Sequence, residues 1–148
     1  MKVFITFIAL FMLGITCTVY QADMNVYMFE QETLKQISEE AACQGALCYD
    51  ESEFGEGRYI FDQAEADQTI GKYINNSIKL LANGENYIIN YKTEYEDESV
   101  GWNAENTEHR PAVTVTVTIT ADDFFRLPFL KETSLTRTSK YETKESFS

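Results

Sequence analysis

Histidine is nearly missing from this 148-residue chain, and cations are scarce: His109 stands alone, and 12 Lys and Arg face 24 Asp and Glu. No glycine loop able to cradle phosphate is present, and no serine or cysteine lies in a pattern that pairs it with a base. These absences argue against nucleophilic catalysis and nucleotide chemistry. The net charge of -12 falls almost wholly after residue 22. An acidic surface repels phosphate backbones and anionic lipid, so nucleic acid and a peripheral membrane face are disfavoured as partners. At this length one domain with one modest core is expected.

Cysteine is limited to three residues, Cys17, Cys43 and Cys48. Cys17 lies in an apolar run behind Leu13-Gly14-Ile15-Thr16, a poor lipobox. Cys43 and Cys48 fall in one predicted helix, where residues five apart point about 140° from each other, so no disulfide framework is expected. An odd count beside one histidine fits apolar packing better than a zinc site.

The chain is rich at its start, where Val3 to Tyr20 form an almost unbroken apolar stretch after Lys2. At about 1.5 Å per residue it nearly crosses a hydrocarbon core of about 30 Å. Val3, Phe4, Phe7, Leu10, Phe11, Leu13, Val19 and Tyr20 are the expected membrane-facing residues, with Tyr20 at the headgroups and Asp23 in water. Only Thr16 and Thr18 faintly suggest a signal-peptidase site. Residues 1–22 therefore read as an uncleaved single-pass anchor, with the N-terminus cytoplasmic and the rest extracytoplasmic.

Residues 23–50 read as an amphipathic stalk helix. Met24, Tyr27, Leu34, Ile37, Ala41 and Cys48 recur on one side, and Glu30, Glu32, Lys35, Glu39 and Glu40 occupy the remaining arc. Leu34, Ile37, Ala41, Ala42, Gly45 and Cys48 form a face for packing on the chain's own domain or for meeting a partner. Residues 51–148 read as an α+β domain. Asp50 to Gly57 has loop composition. Asp62 and Glu65 form a capping-box pattern for a helix carrying Ile70, Tyr73, Ile74, Ile78 and Leu81 inward, with a left-handed cap expected at Asn83-Gly84. Period-two alternation then marks strands over 86–96 (Tyr87, Ile89, Tyr91 and Tyr95 on one side), 113–120 (Val113, Val115, Val117, Ile119 inward) and 134–141. The expected architecture is a membrane helix running into a long amphipathic helix, with a second helix on a three- to four-stranded antiparallel sheet.

Groups able to do chemistry are few. Glu94, Glu96, Asp97 and Glu98 read as a solvated strand end in preference to a Ca²⁺ site, since strand spacing sends alternate carboxylates to opposite faces. Asp122-Asp123 and His109 lack the company an acid–base pair needs. Asn75-Asn76-Ser77 is a formal glycosylation sequon inside the helix pattern, and Trp102 reads as a lid on the core. No enzyme activity, cofactor, metal or small-molecule substrate is expected.

Glu39-Glu40-Ala41-Ala42-Cys43-Gln44-Gly45-Ala46-Leu47, Val113-Thr114-Val115-Thr116-Val117, Leu127-Pro128-Phe129-Leu130 and Leu135-Thr136-Arg137-Thr138-Ser139 follow the order of a known pattern. The chain resembles the TadE-like minor pilins, a pseudopilin family of tight-adherence pili and related secretion systems. The resemblance implies a pilin-like fold and an accessory subunit that meets other pilus or secretion-system subunits. Family members with a processed leader show a small residue and then an apolar stretch with a glutamate near its start; neither stands ahead of Val3, so prepilin-peptidase cleavage is not expected. Two rival expectations stand beside it: a secreted binding domain freed by signal peptidase and, more distantly, an unrecognised hydrolase.

Overall fold

A computed structural model of the chain describes residues 1–82, 84–99 and 110–143. Its first element, α1 (Lys2–Gly45), is a single helix of 44 residues with no break where the apolar run meets the polar sequence. At the standard rise that is about 66 Å of continuous rod. A short helix α2 (Glu51–Gly55), a longer α3 (Gln63–Ser77) and the strands β1 (Ile88–Glu96), β2 (Ala112–Thr120) and β3 (Ser134–Glu142) follow. The fold is α+β.

The strands form one antiparallel sheet in the order β1-β2-β3, with Val115 opposite Thr93 on one side and Ser139 on the other. Alternation along β2 sets the two faces. Val113, Val115, Val117 and Ile119 are fully buried, while Thr116 and Thr118 turn outward to bond Thr138 and Thr136 across the strands at 2.9 Å. The second half of α1 lies on β2 and β3, and α3 packs beside it, its Asp67 carboxylate accepting from the Thr93 and Tyr95 hydroxyls of β1 at 2.7 Å. Leu34, Ile37, Ala41, Ala42, Ile70, Ile74, Phe61 and Leu81 close the core with the β2 valines.

Several elements differ from expectation for local reasons. Asp50 to Gly57 is not a loop throughout: the Asp50 carboxylate accepts from Ser52 N and Glu53 N and nucleates α2, and Gly57 at φ 82 ends the turn that follows. Cys48 lies beyond the end of α1, where the chain straightens so that Tyr49 can bridge Phe61. All three cysteines are free. Asp62 caps α3 through Glu65 N at 3.0 Å, but the helix ends at Ser77, passes into a 3-10 turn at Ile78–Leu80, and has no left-handed cap at Gly84. The sheet has three strands among the described residues. Trp102 and His109 lie outside those residues.

Candidate functional site

From Lys2 to Ala22 no side chain of α1 is buried, and an 18-residue window there has mean hydropathy 2.2. Phe4, Phe7, Leu10, Phe11 and Leu13 are each at least 60% exposed, Val3 more so; Tyr20 is near 38% and Val19 is half-buried. The helix is long and apolar enough to cross a membrane. Phe7 stacks on Phe11 within it, a contact that one helical turn allows and no tertiary packing requires.

Burial begins abruptly at Asp23, which is 5% exposed, and continues at Glu30, Thr33, Leu34, Ile37, Ser38, Ala41, Ala42 and Gly45. That spacing of threes and fours places the residues on one stripe facing the sheet. Leu34, Ile37, Ala41, Ala42 and Gly45 thus lie inside the domain's own core, and no free stalk separates the apolar half of α1 from the head. Cys48, from the same candidate face, is half-buried past the helix end. Its thiol is near Gln44 O and Thr69 Oγ1, and burial pushes it above the usual thiol range.

Where α1 leaves the domain, the connection between β2 and β3 forms a collar around it. The Asp23 carboxylate accepts from Arg126 backbone N at 2.9 Å and from Arg126 Nε at 2.8 Å, and Arg126 Nη2 lies 2.6 Å from Oδ1. Tyr20 stacks on Phe125 with ring centroids 6.4 Å apart, and Tyr27 meets Phe124 at 5.6 Å and Phe125 at 5.3 Å. Higher up, Gln31 Oε1 accepts from Arg137 at 2.7 Å, and the Ser38 and Ser139 hydroxyls bond in the core at 2.6 Å. These polar links fix the helix's rotation and height on the sheet, which apolar burial alone specifies loosely.

The Arg126 guanidinium holds the Asp23 carboxyl below its ordinary range. A depressed folded-state pKa contributes stability that is present above the unfolded value, near 3.9, and lost as pH falls through the folded one. Because Arg126 is 72% exposed, solvent screening reduces the contribution to about 1 kcal/mol. Asp23→Asn is accordingly expected to lower stability by about that amount at neutral pH, with the difference from the parent closing below about pH 4. Thermal melts of both proteins across that range check it.

Glu30, placed by its spacing on the polar arc, is instead fully buried. Its Oε1 accepts from Ala82 N at 3.0 Å and Tyr87 hydroxyl at 2.9 Å, and its Oε2 has no hydrogen-bond partner among the described residues. The carboxylate binds α1 to the 3-10 turns that follow α3. Asp97 is likewise no part of a solvated strand end: it is fully buried and accepts from Phe61 N at 3.0 Å and Ser99 N at 2.9 Å, while Glu98 accepts from Tyr59 N. Glu94 and Glu96 pair outward with Lys92 and Lys140. Carboxylates in this cluster thus act as backbone clips and surface ion pairs.

The remaining acidic pair also has a local role. Asp122 and Asp123 are exposed, and Asp123 Oδ1 accepts from Phe125 N and Glu132 N, which folds the β2–β3 loop back on itself. Among the described residues no group of three or more His, Cys, Asp or Glu side chains is arranged to hold a metal ion. Asn75 and Asn76 are exposed on α3, whereas Ser77 is buried. Set beside known proteins, the chain matches no family model, no curated protein and no solved structure.

Proposed function

We propose that this protein is a membrane-anchored, outward-facing accessory subunit of the minor-pilin kind, which works by contact with other subunits of a pilus or secretion apparatus. The uncovered apolar half of α1, rigidly continuous with the packed half, carries this reading. Leaving so many large apolar side chains in water costs about 1.5–3 kcal/mol each relative to burial, so the segment requires a lipid or protein environment. Lys2 as the flanking cation favours a cytoplasmic N-terminus and an outward head. The order of a long helix, a sheet and a Leu-Pro bend supports the family resemblance drawn from Ala41-Ala42, the Val/Thr strand and Leu127-Pro128.

The native protein is expected to stay in the membrane pellet through a carbonate wash, while a chain starting at Asp23 is expected in the supernatant with its head folded. Release of the full-length chain by carbonate contradicts the anchored reading. One observation favours the rival, a secreted binding domain: burial starts at Asp23, so cleavage just before it removes no core residue. Intact mass of the mature protein decides between the two, because the rival requires loss of the apolar segment.

A further inference from the structure

We infer that the β2–β3 loop is a second membrane contact, with its tip from Phe125 to Lys131 lying in the lipid headgroup layer beside the point where α1 emerges. The inference rests on the anchored reading and adds a surface to it. Along α1 the apolar run ends at Tyr20, so the helix itself marks the height of the interface. The base of the tip is held near that height by contacts to Phe125 and Arg126: the Tyr20–Phe125 stack, the Tyr27–Phe125 contact at 5.3 Å and the double hydrogen bond from Arg126 to Asp23.

The composition of the tip suits a headgroup layer. Phe125-Arg126-Leu127-Pro128-Phe129-Leu130-Lys131 contains two cations and no acid in a chain of net charge -12, while the acids of the same loop, Asp122, Asp123 and Glu132, stand at its base. Phe129 is 71% exposed, and the Arg126 side chain is 72% exposed despite its bond to Asp23. An aromatic ring flanked by Arg and Lys gives the glycerol and upper acyl region an apolar group and the lipid phosphates two cationic donors. The backbone is also prepared for a drier medium: Pro128 has no N–H to desolvate, and Leu130 N is bonded to Leu127 O at 3.0 Å. The acidic remainder of the head opposes adsorption to anionic lipid. A zwitterionic phosphatidylcholine surface, reached only because α1 delivers the loop to it, is therefore the fitting occupant.

The test uses the full chain reconstituted in phosphatidylcholine bilayers, in a Trp102→Phe background carrying Phe129→Trp, with carbonate retention measured on the same sample. A matching Leu47→Trp chain is the control, since Leu47 is equally exposed but about 40 Å further along the axis of α1. Lipids brominated high on the acyl chain are expected to quench the probe at 129 at least roughly twofold more than the probe at 47, with blue-shifted emission at 129 alone. Retention in the pellet with no quenching at 129 overturns the loop contact and leaves the anchor standing. Blue-shifted but unquenched emission also overturns it, because the cover is then protein. Loss of the chain from the pellet overturns both.

Discussion

Replacing Gly45 by leucine is expected to lower the stability of the head by about 3 kcal/mol, the upper part of the range for overfilling a packed core. A Cβ at this position meets Ile70 Cδ1 at 2.5 Å, Ile70 Cγ1 at 3.1 Å and Val113 Cγ1 at 3.4 Å. The first distance is one that real Cβ atoms do not occupy, and the whole isobutyl group must still be placed beyond it. Ile70 and Val113 are themselves fully buried, so neither can swing into solvent to make room. At Gly45 α1 is in contact with Ile70 of α3 and Val113 of β2, and the missing side chain permits that approach. The cause can be isolated by a cycle of substitutions. Ile70→Val removes Cδ1, the atom in conflict, so Gly45→Ala should cost less in that background than in the parent, with a coupling above about 0.5 kcal/mol. Urea unfolding midpoints of the four proteins measure it. Strict additivity would place the cost of Gly45→Ala somewhere other than the contact with Ile70.

Elements whose fate is decided by side-chain period were legible in the sequence. The Val113 to Thr120 alternation specified a strand buried on one face, and the threes and fours from Leu34 to Gly45 specified a helical stripe, because both patterns report the burial that forms them. The Asp62 cap on α3 was legible for the same local reason. What the sequence did not reveal depends on partners far along the chain. Glu30 reads as a surface residue by its chemistry and is buried because Ala82 N and the Tyr87 hydroxyl, more than fifty residues away, give its carboxylate donors. Asp97 sits in an acidic run that suggests solvation, yet a backbone amide at Phe61 draws it inside. The collar at the exit of α1 needed the Asp23–Arg126 pairing across 103 positions, which no local pattern announces. For the apolar half of α1, composition alone identified a segment long and apolar enough to cross a membrane, and the structure adds that no side chain from Lys2 to Ala22 is buried among the described residues.

Gly84 offers the second large effect, and it separates two reasons for a glycine. The Asn83-Gly84 pair suggests a left-handed cap, a conformation in which asparagine nearly substitutes for glycine. Among the described residues, however, only Gly57 has a positive φ, and a Cβ on Gly84 would lie 2.1 Å from the Ile78 carbonyl oxygen and 3.0 Å from its carbon. The glycine is there because another stretch of main chain passes over it. A conflict with backbone is not relieved by a rotamer change, so Gly84→Ala must displace the turns from Ile78 to Asn86. Those turns carry the Ala82 amide and the chain leading to Tyr87, the two donors that satisfy Glu30 Oε1. Displacement strands a buried carboxylate as well as opening the packing, which sets the expected loss at about 3 kcal/mol or more. Gly84→Asn is expected to be at least as damaging as Gly84→Ala, since its side chain is larger and meets the same oxygen. Were the left-handed cap the true reason for glycine here, unfolding midpoints would instead rank asparagine well above alanine.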